Sequence, residues 1–373
     1  MKYYSGLDTL RAFAVIFVII THWGPHTINS SKALTFFLTR ILPDGEFGVD
    51  LFFVLSGYLI TGILLKARDE SFGQSKMQVL KAFYIRRALR IFPAYLMLIA
   101  VAYWNGEPSV RGHIINFLTY TSNFLVFESK SWSGVSHTWS LAVEEQFYLI
   151  WPWIILFSPE RYLKAIIIAC FFTGLLSSVI LQHLYGAFSS VLTPPCITAF
   201  ATGALYSYAQ TKPALERRAS CLFFWLLPLC IVFYFLHQYG AQYSFKRVFN
   251  AVIAVCAIIY VVKGRYNQIT RYILTNKVLV SLGKVSYGIY LYHYIIPSIY
   301  YTWIDQLYQY RHFSFSMYQY LKNPPVSYII HLIITLVVSY LSYYLIENNI
   351  NKFKSKFPYV NRDRPVRKVA VHG

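Results

Sequence analysis

The sequence predicts an all-α fold, a polytopic membrane protein of about ten transmembrane helices with both termini cytoplasmic. Three observations predict it. Hydrophobic residues make up 56% of the 373 and charged residues 13%, against roughly 25% charged in ordinary soluble domains. The apolar residues fall in long continuous runs, unlike the alternating strands of a membrane β-barrel. The basic residues also sort by side. With the N-terminus inside, 26 of the 34 Lys and Arg lie in inner segments, as the positive-inside rule requires.

Taken in order, the expected spans run from Leu7 to Trp23, Phe47 to Leu65, Ala88 to Trp104 and His137 to Phe157. They continue from Leu163 to Leu181, Val191 to Tyr208, Cys221 to His237 and Phe249 to Val262, and end with Leu279 to Tyr301 and Tyr328 to Glu347. The formal charge of +19 sits between these runs, so it reads as topology and not as a nucleic-acid surface. Asp8 and Arg11 interrupt the first run and no small-residue cleavage site follows, so a retained helix is expected rather than a signal peptide. Cys170, Cys196, Cys221, Cys230 and Cys256 show no CxxC spacing and read as small core residues, not disulfides or ligands. No repeat or appended soluble domain is visible. Residues 1–350 form one membrane domain and 351–373 a basic cytoplasmic tail.

The first run carries chemistry. Arg11 and His22 are 11 positions apart, about three helical turns, so they share a side and lie roughly 16 Å apart along the axis. Asp8 shares that side and can pair with Arg11. Ionisable groups inside a span are costly and mark candidate functional sites. The plainer alternative is a snorkelling arginine and an interfacial histidine.

Four further stretches matter. In the second span, Asp50 lies near the outer surface, as an interfacial acid or a partner for an active-site group. Ser56 and Gly57 there offer a small face for another helix. At the inner start of the third span, Arg90 neighbours both Arg86 and Arg87 on the helix surface. Three guanidiniums suit phosphates, which they grip in bidentate fashion; an ordinary basic stop against lipid headgroups is the alternative. His137, Ser140, Glu144 and Tyr148 form one helical stripe, with Glu145 about 100° away. Adjacent carboxylates entering a membrane each need a partner or a proton. In the ninth span Ser286, Tyr290 and His293 share a face, where His293 also reads as an interhelical hydrogen-bonder. Glu347 can pair with the inner arginines.

The ordered set Gly6-Leu7-Asp8…Arg11…His22, Gly48-Val49-Asp50…Ser56-Gly57, Arg86-Arg87…Arg90…Pro93, Thr138-Trp139-Ser140…Glu144-Glu145-Gln146-Phe147-Tyr148 and Ser286-Tyr287-Gly288…Tyr290-Leu291…His293 resembles the membrane acyltransferases called acyltransferase-3. These include bacterial O-antigen and exopolysaccharide O-acetylases, so lipopolysaccharide and other exported glycans come into view as acceptors. The resemblance covers about Leu7 to Glu347. It implies transfer of an acyl group, commonly acetyl from acetyl-CoA, to a hydroxyl of a glycan, in the bacterial cytoplasmic (inner) membrane. It also implies that Arg11 and His22 are essential, and the family's paired arginines map to Arg87 and Arg90. The family often has Pro soon after the final Glu, whereas Glu347 is followed by Asn348-Asn349-Ile350.

The expected mechanism places acyl-CoA phosphates on Arg86, Arg87 and Arg90, with Arg11 nearby. His22 is then a general base or a transient acyl carrier, and Glu144, His137 and Asp50 orient the acceptor or the imidazole from the outer side. No metal or nucleic-acid site is expected. Alternatives are a small-molecule or lipid-linked glycan acceptor and, in a different class, a proton-coupled transporter using the buried acids and histidines as a relay. The arginine cluster discriminates, because only an acyl-CoA enzyme has a stated use for it.

Overall fold

Every regular element among the described residues is a helix, as apolar segments must be where lipid offers backbone groups no partners. The computed structural model describes residues 3–27, 32–70, 75–239, 245–310 and 314–359; the expected tail beyond 359 lies outside them. The principal helices are α1 (Ser5–Thr27), α2 (Gly45–Glu70), α3 (Lys76–Trp104), α4 (Trp139–Phe157), α5 (Glu160–Tyr185), α6 (Thr193–Ala209), α7 (Pro213–Gln238), α8 (Lys246–Lys263), α9 (Gln268–Leu274), α10 (Lys277–Lys284), α11 (Ser286–Tyr292), α12 (Ile295–Gln309) and α13 (Pro324–Ser342).

Helical segments stand at all ten apolar runs. By length and composition alone, five can cross a membrane among the described residues, or six when the pair Lys246–Lys263 and Gln268–Lys284, bent by 102°, counts as one. Two of the others fall short for readable reasons: α6 has 17 residues, and α4 carries Glu144 and Glu145.

The inward and outward faces follow the helical period. On α13, Ser327, His331, Thr335 and Ser339 are buried, while Ile329, Ile333, Val337 and Leu341 are exposed. Both stripes recur every four residues, so one face is polar and inward and the other apolar and outward. Helices α5 and α7 likewise expose Phe172, Leu176 and Leu184, and Leu222, Trp225 and Leu229. Helix α2 lies centrally, packed along α1 and α6. A β-carbon on Gly57 would stand 2.0 Å from the Phe200 carbonyl oxygen, and one on Gly203 would stand 2.0 Å from that of Val54. The small face expected at Ser56-Gly57 therefore is a helix crossing that only glycine admits.

The start of α1 is fixed the same way. A β-carbon on Gly283 of α10 would lie 1.8 Å from the Asp8 carbonyl oxygen, and Thr9 Oγ1 donates to the Leu274 carbonyl at 2.9 Å. The ninth run is not one helix, as expected, but α10, α11 and α12. Its second break has a local cause. Pro297 lacks the N–H that would bond the carbonyl four residues back, at His293. That carbonyl accepts instead from Trp23 Nε1 at 3.1 Å.

Candidate active site

The break between α11 and α12 sets three imidazoles side by side. His22 Nδ1 lies 2.8 Å from His293 Nε2, and the two rings stack with centroids 5.0 Å apart. His293 Nδ1 lies 2.6 Å from the Tyr290 carbonyl oxygen. A carbonyl only accepts, so His293 carries its proton on Nδ1 and, when neutral, presents a lone pair at Nε2. His22 therefore donates from Nδ1, which leaves its Nε2 with a free lone pair. His293 is fully buried, whereas His22 is exposed. His137 stands edge-on to His293, with centroids 5.0 Å apart. Its Nε2 lies 3.1 Å from the Leu291 carbonyl oxygen, and its Nδ1 has no hydrogen-bond partner among the described residues.

Ser140 and Tyr290 link this group to a cavity. Their hydroxyls lie 2.6 Å apart, and both reach the His137 carbonyl, at 3.2 Å and 3.0 Å. Both also line a cavity of about 420 Å³. Other walls come from Arg11, Arg87, Arg90, Glu144, Glu145, Tyr148 and Ser286. The imidazoles are not among its walls; they stand behind Ser140 and Tyr290.

At the basic end, Asp8 Oδ1 accepts from Arg11 Nη1 at 2.6 Å, the pairing expected from their spacing, and Oδ2 accepts from Tyr3 OH at 2.6 Å. Arg87 lies over the rings of Phe83 and Tyr148, at 5.5 Å and 5.2 Å. Neither Arg87 nor Arg90 forms an ion pair among the described residues. Two guanidiniums lining a cavity without a carboxylate partner are suited to a bound anion.

Four expectations need correction. Arg86 does not join this wall: its Nη1 donates to the carbonyls of Lys354 at 2.7 Å and Phe357 at 3.1 Å. Asp50 bonds no imidazole among the described residues. It accepts from Arg247 Nε at 2.7 Å and Asn250 Nδ2 at 2.8 Å, because its side of α2 faces α8. Glu144, expected to orient the acceptor or the imidazole, lies on the cavity wall and accepts hydrogen bonds from Ser56 and Tyr148. It bonds no imidazole among the described residues, so only the second of those roles is set aside. Glu347 is buried, with Ser342 Oγ 3.5 Å from Oε1, and forms no ion pair among the described residues.

Of the expected stripe His137, Ser140, Glu144 and Tyr148, the last three line the cavity, while His137 stands in the turn before α4 and does not. Glu145 joins the wall with a buried Oε1 that has no partner among the described residues. Sequence reasoning missed Trp23, Tyr287 and the bond of Ser56 to Glu144. Pro297, four residues after His293, is the one local signal that pointed to Trp23.

A family model described as an acyltransferase domain matches residues 4–344. A peptidoglycan O-acetyltransferase of Listeria monocytogenes is 32% identical over 340 residues, covering 80% of this chain and 50% of the relative. An O-acetyltransferase of Staphylococcus aureus is 28% identical over 379 residues, covering 94% of this chain and 58% of the relative. The chain thus spans about half the length of these curated relatives. No solved structure matches significantly.

Proposed function

Since the chain belongs to this acyltransferase family, we propose that it is an integral-membrane O-acetyltransferase moving acetyl from a CoA thioester to a glycan hydroxyl. The observation that carries this reading is one cavity with Arg87 and Arg90, which form no ion pair among the described residues, on its wall and, through Ser140 and Tyr290, the imidazoles behind it. The residues up to about 350 act as one membrane domain, in the bacterial cytoplasmic membrane with the arginines inside. Peptidoglycan is the first acceptor to test, because it is the acceptor in the Listeria relative's name.

In this mechanism Arg87 and Arg90 hold the donor's phosphates, and the thioester extends toward Ser140 and Tyr290. His22 Nε2 takes the proton of the acceptor hydroxyl as its oxygen attacks the thioester carbonyl. The C–S bond then breaks and the CoA thiolate takes that proton from His22 Nε2, which restores the neutral base. His293, hydrogen-bonded to Tyr290, holds the His22 ring in the tautomer that leaves Nε2 basic. A transient acyl group on Nε2 needs the same tautomer. A proton-coupled carrier has no use for two guanidiniums on the cavity wall that form no ion pair among the described residues.

The test is expression in cells lacking the gene, with base-labile acetate measured on purified peptidoglycan and other envelope glycans. Ester acetate should rise with the wild-type chain and not with His22→Ala. Equal acetate with both would overturn the reading.

A further inference from the structure

The chain returns to the basic start of α3 after its last long helix. Besides donating to the Lys354 and Phe357 carbonyls, Arg86 lies 4.8 Å over the Tyr359 ring. This grip brings the half-buried Lys354 into the field of Arg86, Arg87 and Arg90. The carboxylate that also reaches Lys354 electrostatically is Glu347, which is buried and pairs with none of the four cations among the described residues. The Lys354 ammonium has no hydrogen bond or ion pair among those residues.

Four cations held together repel one another. Glu144, Glu145 and Glu347 offset part of this charge from a distance, but none forms an ion pair with the four among the described residues, so a further anion is favoured there. A lysine in an ordinary basic stop turns outward into water, as Lys352 and Lys356 on the same segment do. Lys354 is instead held inward by backbone bonds that leave its side chain uncommitted.

We propose that Lys354, presented by Arg86, binds a phosphate of the donor beside Arg87 and Arg90, making the C-terminal segment part of the donor site. This rests on the CoA reading above. The chemistry is an ammonium donating charge-assisted hydrogen bonds to a phosphate ester or diphosphate. An anionic lipid headgroup offers the same chemistry. Arg86 is a positioning residue, acting through Lys354.

The experiment measures CoA binding by calorimetry to the full chain in nanodiscs of neutral phosphatidylcholine, with and without anionic phosphatidylglycerol. Lys354→Gln should raise the Kd for CoA about tenfold, one well-made charged contact. Lys354→Arg should restore most of the affinity. Lys352→Gln, whose ammonium bonds Asn349 Oδ1 at 3.0 Å, should leave it unchanged. Arg86→Gln should resemble Lys354→Gln, and the double variant should be no weaker than either single one. Wild-type affinity in Lys354→Gln, with weakened binding in Arg90→Gln, would overturn the inference and leave the donor reading standing. No CoA binding by the wild type would overturn both. A loss confined to anionic nanodiscs would assign Lys354 to lipid and overturn the inference.

Discussion

The proton shared by His22 and His293 belongs to His22. His293 keeps its proton on Nδ1 and donates it in a hydrogen bond to the Tyr290 carbonyl at 2.6 Å, so its Nε2, 2.8 Å from His22 Nδ1, can only accept when the ring is neutral. If this relay sets the His22 tautomer, His293→Leu should lower kcat about a hundredfold, the usual cost of a misplaced catalytic group. The KM for the donor should hardly move. His293→Gln, which can both donate and accept, should retain much more activity. Steady-state rates on detergent-solubilised protein decide the matter, and an unchanged kcat in His293→Leu would remove His293 from the mechanism.

His22 itself should be indispensable for transfer and dispensable for donor binding. His22→Gln can hydrogen-bond to His293 but cannot take a proton at neutral pH. We expect it to lose at least about a hundredfold in kcat, with CoA affinity unchanged by calorimetry. Since His22 is exposed, the substitution costs little packing. Full activity in this variant would reduce His22 to a strut.

Arg87 and Arg90 are separable from Arg86 by conservative substitution. Lysine keeps the charge but loses the planar fork, so Arg87→Lys and Arg90→Lys should each raise the donor KM about tenfold. Activity should return at saturating acyl-CoA. Wild-type KM in both variants would leave the arginines as a topology signal.

The sequence made local relations legible and left distant ones hidden. Asp8 and Arg11 are three residues apart, so helical periodicity alone predicted the bond that forms. The same period put Ser140, Glu144 and Tyr148 on one wall. Partners on other helices were out of reach: His22 and His293 are 271 positions apart, Ser56 and Glu144 are 88, and Arg86 and Lys354 are 268. Periodicity shows which way a side chain points along its helix, but only packing decides which helix it meets. Arg86 illustrates the difference, since it is adjacent to Arg87 in sequence yet is committed to the C-terminal segment.

Asp50 is the sharpest case, and it yields a prediction of stability rather than activity. Its side chain is buried and accepts from Arg247 Nε and Asn250 Nδ2. The same arginine donates to the Ser190 carbonyl at 3.1 Å. Asp50 therefore joins α2 to α8 and, through Arg247, to the turn before α6. Removing one partner of a buried ion pair leaves the other charged and unpaired, at a cost of about 3–5 kcal/mol. Asp50→Leu and Arg247→Leu should each lower the thermal midpoint of the detergent-solubilised protein sharply. The double variant, with no charge left unpaired, should be more stable than either single one. In protein that remains folded, the double variant should keep its donor KM and most of its kcat. A loss of kcat in the folded double variant as deep as that in His22→Gln would return Asp50 to the catalytic group.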